Sequence, residues 1–122
     1  MDKALTIRVR HERGYAIVSV AGEIDIATVA QLRERLFGLA TSGCPLVADL
    51  DQVSFIDAAG LGVLVGAARR AAASGTSLHV VCARHQTRRL FRLTGLDHQI
   101  PLACTLAEAM ESLAAARDPP AS

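Results

Sequence analysis

Apolar and polar residues alternate at the start of this chain, and the period then changes. Leu5, Ile7 and Val9 alternate with Thr6, Arg8 and Arg10, the period-two pattern of a half-buried strand. His11-Glu-Arg-Gly14 supplies a turn. Residues 15–21 form a second run rich in β-branched side chains, so the first two elements are predicted to be a hairpin. Gly22-Glu-Ile-Asp25 breaks that pattern.

Helical spacing takes over from there. Val29, Leu32, Leu36 and Leu39 recur three and four apart, with Arg33, Glu34 and Arg35 on the other side. Thr28, followed three residues later by Gln31, predicts a capping box at the start of this helix. Ser42-Gly43 ends it, and Pro45 leads into a short apolar strand over 46–50. A short loop should follow, with Asp57 as N-cap of a second helix whose core stripe is Leu61, Leu64, Val65, Ala68 and Ala72. Ser74-Gly75 stops that helix, and residues 78–82 are another apolar strand. Residues 85–94 read as an amphipathic helix with Leu90, Phe91 and Leu93 inward, Arg88, Arg89 and Arg92 outward, and Gly95 closing it. A last short strand over 100–102 contains Pro101, which favours a sheet edge. Thr105 caps a final helix carrying Leu106, Ala109, Met110 and Leu113.

The predicted order is β-β-α-β-α-β-α-β-α. The later alternation demands parallel strands with crossover helices, and the opening hairpin adds antiparallel pairing, so the class is α/β with a mixed sheet of about five strands and about four packed helices. The chain reads as one domain over residues 1–116, with 117–122, including Pro119-Pro120, as a disordered tail.

Composition narrows the function. At 122 residues one domain can bury a real core, and 51% hydrophobic residues argue against disorder. Thirteen basic and twelve acidic residues leave a net charge of +1, which calls for neither nucleic acid nor an anionic membrane. Cys44, Cys82 and Cys104 are odd in number and far apart, so they read as small buried apolar residues in a reducing compartment. No signal peptide or membrane span is visible, which makes a cytoplasmic location the expectation.

Catalytic chemistry finds no constellation. His11, His79, His85 and His98 lack metal-ligand spacing. Asp49 and Asp51 fall on one side of a strand end and read as a solvated turn contact. His79 and Cys82 are three apart in one strand and so point to opposite faces, which excludes a nucleophile pair between them. Gly60-Leu-Gly62 is neither a dinucleotide fingerprint nor a P-loop. Arg84, Arg88, Arg89 and Arg92 read as a solvated helix face. No enzyme activity, metal or cofactor is expected.

The segment from strand to second helix carries the most information. From Ser54 to Gly60 it places small residues where a strand hands over to a helix, leaving backbone amides accessible at a helix N-terminus, with Gly60 and Gly62 permitting close approach. Residues 46–62, Leu-Val-Ala-Asp-Leu-Asp-Gln-Val-Ser-Phe-Ile-Asp-Ala-Ala-Gly-Leu-Gly, resemble the switch segment of the STAS family, the anti-sigma factor antagonists and their relatives. Val18-Ser-Val-Ala-Gly-Glu-Ile-Asp25 is similar to the family's second strand and following loop, and Leu90-Phe-Arg-Leu-Thr-Gly-Leu96 to its third helix and the turn after it.

The resemblance implies a partner switch. An unphosphorylated antagonist binds an anti-sigma factor, often an ATP-binding serine kinase, and so frees a sigma factor; phosphorylation of a serine in the switch segment blocks that binding. The position matching the phosphoserine is Ala59, and the serine before it corresponds to Ala58. The implied partner-binding residues are Gly22, Glu23, Asp25 and Thr28 on one loop, with Ser54, Asp57, Ala58, Ala59, Gly60 and Leu61 on the other. Alanine cannot accept phosphate, so the off-switch is expected to be missing; Ser54 and Thr28 are the remaining hydroxyls near that surface. The alternative implied by the same family is a STAS subunit or scaffold of a stress-signalling assembly or of a lipid or anion transport system.

Overall fold

The computed structural model describes residues 4–117. The described elements are β1 (Thr6–Glu12), β2 (Tyr15–Ile24), α1 (Val29–Ala40), β3 (Leu46–Ile56), α2 (Ala58–Ala73), β4 (Leu78–Val81), α3 (His85–Leu93), β5 (Leu102–Ala103) and α4 (Leu106–Arg117). The five strands form one sheet in the order β1-β2-β3-β4-β5. β1 pairs antiparallel with β2 through the hairpin, and every later pair is parallel. This is the α/β order read from the sequence.

Strand alternation divides the core between two faces. On one face Ala16, Val18 and Val20 of β2, Leu46, Ala48 and Leu50 of β3, and Val80 of β4 pack against Leu32 and Leu36 of α1, Leu61 and Leu64 of α2, and Phe91 of α3. On the other face Tyr15, Ile17, Val47 and Val81 meet Ala109 and Leu113 of α4. α4 alone among the described helices covers that second face.

Several elements depart from expectation for identifiable reasons. β3 continues to Ile56, through the stretch read as a loop, because β2 stays paired with it to Ile24. The pairing passes register shifts between Ser19 and Ala21 and between Gly22 and Glu23, and Gly22 takes a φ of 116° that disfavours a side chain. In α2 the buried set is Gly60, Leu61, Val63, Leu64, Ala67 and Ala71, while Ala72 is exposed. That helix packs on α1 as well as on the sheet: a Cβ on Gly66 would lie 2.9 Å from Phe37 Cζ. In α1 the fourth buried position is Ala40, with Leu39 half-buried. α3 buries Thr87 and Phe91, four apart; Leu93, about 200° further round the axis than Phe91, is 73% exposed.

Cys82 is buried as expected, but Cys44 is half-buried and Cys104 exposed. β5 is the expected edge strand, shifted to Leu102–Ala103, and Pro101 contributes its carbonyl, which accepts from the Val80 amide at 2.9 Å. Thr105 does cap α4, its hydroxyl accepting from the Glu108 amide at 3.1 Å. Arg117, placed in the tail by the sequence reading, is the last residue of α4; residues 118–122 lie outside the described residues.

His79 sits on the α4 side of β4. Its Nε2 is 3.1 Å from Ser112 Oγ on α4, and its buried Nδ1 has no hydrogen-bond partner among the described residues. Burial holds its pKa below the ordinary 6.5. The folded protein therefore resists a proton that the unfolded chain accepts. Stability is full above pH 6.5 and falls as the pH drops through and below that value. Urea midpoints at pH 7.5 and pH 5 will show this loss, and His79→Leu will flatten the slope.

Candidate functional site

Two loops meet at the carboxyl ends of β2 and β3, the edge where open parallel sheets place their binding sites. Register brings them together: Glu23 pairs with Phe55 and Ile24 with Ile56, and the Asp57 amide donates to the Ile24 carbonyl at 3.1 Å.

The first loop is knitted from within. The Thr28 hydroxyl donates to the Glu23 carbonyl at 2.7 Å and accepts from the Asp25 amide at 3.0 Å. Asp25 Oδ1 accepts from the Ala27 amide at 2.9 Å. The Asp25 carbonyl takes the Val29 amide at 2.8 Å as α1 begins. Thr28 thus occupies the N-cap position but makes no capping box: its hydroxyl is used backward, on the loop, rather than forward on the helix. Glu23 and Asp25 stand at the ends of this braced turn, and Ile26 at its tip is 84% exposed.

The second loop is a tight handover. Asp57 adopts an extended backbone at the N-cap of α2, and its Oδ1 accepts from the Gly60 amide at 3.2 Å, the expected cap. Its carbonyl accepts from Leu61 at 3.0 Å. Ser54 bridges the two loops, its hydroxyl donating to the Gly22 carbonyl at 3.4 Å.

The ten implied partner-binding residues therefore divide into two groups. Thr28, Gly60 and Leu61 are buried in the free chain, beneath the accessible residues of the two loops. Gly60 is glycine for an internal reason: a Cβ there would lie 2.6 Å from Ile24 Cγ2 and 2.7 Å from Ile56 Cγ1. Glu23, Ser54 and Ala58 are exposed, and Gly22, Asp25, Asp57 and Ala59 half-exposed. Gly62, one turn beyond Ala58, is exposed with open space where a Cβ would stand. The result is a low surface of Ala58, Ala59 and Gly62 at the start of α2, beside the Asp25 turn. It offers no bulk to exclude a partner backbone. Of the two hydroxyls, that of Thr28 is buried and engaged, while that of Ser54 is on an exposed residue.

Two residues of this rim escaped the sequence reading. Ile26 and the 52% exposed Phe55 flank the two loops. Ile26 could have been flagged as an apolar residue outside any strand or helix period; Phe55 was hidden by the reading of β3 as a loop.

Four of the groups weighed for chemistry hold structural contacts. Asp49 Oδ1 accepts from the Asp51 amide at 3.1 Å, and Asp51 Oδ1 from the Ala83 amide at 2.7 Å. Arg84 Nε donates to the Asp51 carbonyl at 2.9 Å and Arg88 Nη1 to the Cys82 carbonyl at 2.9 Å.

Known proteins resemble this chain in sequence and in fold. An anti-sigma-B factor antagonist of Bacillus subtilis is 36% identical over 98 residues, covering 80% of this chain and 90% of that protein. The anti-sigma-F factor antagonist RsfB of Mycobacterium tuberculosis is 33% identical over 115 residues, 93% of each chain. The crystal structure of an anti-sigma factor antagonist from Mycobacterium paratuberculosis superposes with a TM-score of 0.84 at 34% identity, covering 90% of this chain and 94% of that one. Residues 6–109 match the STAS domain, and the chain belongs to the STAS domain family.

Proposed function

We propose that this protein is an anti-sigma factor antagonist that binds its anti-sigma factor, an ATP-binding serine kinase, through the two-loop surface and so frees a sigma factor in the cytoplasm. The observation that carries the reading is Ala58-Ala59 at the accessible first turn of α2, within a site whose caps and braces are otherwise in place. Similarity to named antagonists over most of the chain supports the partner class. The kinase is assigned from the switch segment, which resembles a phosphorylation site lacking its acceptor. With no hydroxyl at 58 or 59, the chain stays competent to bind, and its action is set by abundance or by the partner.

The test is calorimetric titration of the chain against the purified anti-sigma factors of its host. One of them is expected to form a stoichiometric complex and to surrender its sigma factor as the complex forms. Binding to none of them, or binding that leaves the sigma factor sequestered, would refute the proposal. Phosphorylation of Ser54 that abolished binding would refute permanent competence alone.

A further inference from the structure

Next to the two-loop surface lies a groove of about 290 Å³ that the proposed role of Ala58 and Ala59 does not use. Ser54, Phe55 and Ile56 form one wall, and Gln86, Thr87 and Leu90 of α3 the other. It is continuous with the proposed binding surface, because its first wall is the three residues immediately before Asp57.

Its apolar lining extends outward. The large hydrophobic side chains exposed among the described residues are Ile26, Phe55 and Leu93. Phe55 is on the groove wall, and Leu93 follows Leu90 by three positions, about 60° round the same helix. Exposed apolar side chains gathered along one groove, unlike single scattered ones, mark an interaction site.

Charge identifies the partner's chemistry. α3, His85-Gln-Thr-Arg-Arg-Leu-Phe-Arg-Leu93, contains three arginines and no acidic residue. Among the described residues none of its guanidinium groups pairs with a carboxylate. Arg89 is exposed and lies beside Leu93, about 40° further round the helix. An apolar trough bordered by an unpaired cation complements an apolar side chain flanked by carboxylates.

We infer that the groove between β3 and α3 is a second docking point for the anti-sigma factor, taking an apolar side chain of an acidic segment between Phe55, Leu90 and Leu93, with Arg89 facing its carboxylates. The inference rests on the proposed function, since it names part of the same partner's footprint. Two anchors on different elements, the α2 turn and the α3 groove, fix the orientation of the bound partner. Residues at the groove thereby choose among anti-sigma factors that would all fit the low Ala58-Ala59 surface.

Phe55→Ala, Leu93→Ala and Arg89→Glu test it, each at a side chain exposed enough to change without loss of the fold, as circular dichroism will verify. Against the purified anti-sigma factor that binds the unaltered chain, Phe55→Ala and Leu93→Ala are each expected to raise Kd about tenfold. Arg89→Glu is expected to slow association and weaken its salt dependence. Unaltered Kd in Phe55→Ala and Leu93→Ala, with Ala59→Glu still abolishing binding, would overturn the groove and leave the proposed function standing. If the chain proves dimeric by sedimentation and the two variants make it monomeric without changing Kd for the anti-sigma factor, the occupant is a second copy and the inference fails. Failure of the unaltered chain to bind any anti-sigma factor overturns both.

Discussion

Ala59→Glu will weaken binding to the anti-sigma factor at least about a hundredfold, a loss of about 2.7 kcal/mol. Ala59 is the second residue of α2, half-exposed, one turn below the open position of Gly62. A carboxylate there adds bulk to a surface made low by alanine and glycine, and adds charge two residues after Asp57 at the start of α2, where the proposed interface would bury it. An unpaired charge trapped in such an interface costs several kcal/mol. Its effect on folding has the opposite sign. Glu in the first turn of a helix interacts favourably with the macrodipole, by about 0.3–1 kcal/mol. The variant is therefore expected to be as stable as the original chain or slightly more so, and the binding loss cannot be ascribed to unfolding. Titration calorimetry together with urea denaturation separates the two effects. Full-affinity binding by Ala59→Glu would move the interface away from the first turn of α2.

Gly60 and Gly62, two residues apart on one helix, will respond to the same substitution with opposite sign. Gly60→Ala drives a methyl group into the branched side chains of Ile24 and Ile56, which are fixed on adjacent strands; the closest approach is 2.6 Å. Overpacking of this kind costs about 1–3 kcal/mol. The helix-propensity gain of Ala over Gly, about 1 kcal/mol, offsets part of it. A net destabilisation of up to about 2 kcal/mol is expected, with the first turn of α2 and its Ala58-Ala59 surface pushed outward. Gly62→Ala meets nothing within 4 Å, so only the propensity gain remains, and stability should rise by about 0.5–1 kcal/mol. On the proposed interface Gly62 lies beneath the partner beside Ala58, so Gly62→Ala should cost affinity while it gains stability. Urea midpoints moving in the same direction for both variants would contradict this division of roles.

Much of this was legible in the residues. Period-two and helical spacings and short apolar runs located the five strands and four α-helices, though not the 3-10 turn at Leu96–His98, and the turn glycines and caps at Asp57 and Thr105 marked the helix ends. Three kinds of information were not. Strand length depends on a neighbour: residues 51–56 have no regular alternation, and they are strand because β2 holds them across two register shifts. A cap residue can serve either side: Thr28 has the sequence of a capping box, but the Glu23 carbonyl and Asp25 amide take its hydroxyl first. Inward and outward positions on a short helix follow its actual contacts, which is why Leu93 was expected inside and is found outside. In the site, the family resemblance supplied the two loops but could not distinguish Gly60, packed on two isoleucines, from Gly62, open to solvent.

The central claim is a binding surface kept and a phosphorylation switch removed. It is tested most directly by measuring the affinity of the unaltered chain for the proposed anti-sigma kinase before and after prolonged incubation with that kinase and ATP, with intact mass recorded on the same sample. The account predicts unchanged mass and unchanged Kd, whereas Ala59→Ser gains one phosphoryl group and loses binding. A phosphoryl adduct on the unaltered chain accompanied by loss of binding would contradict it.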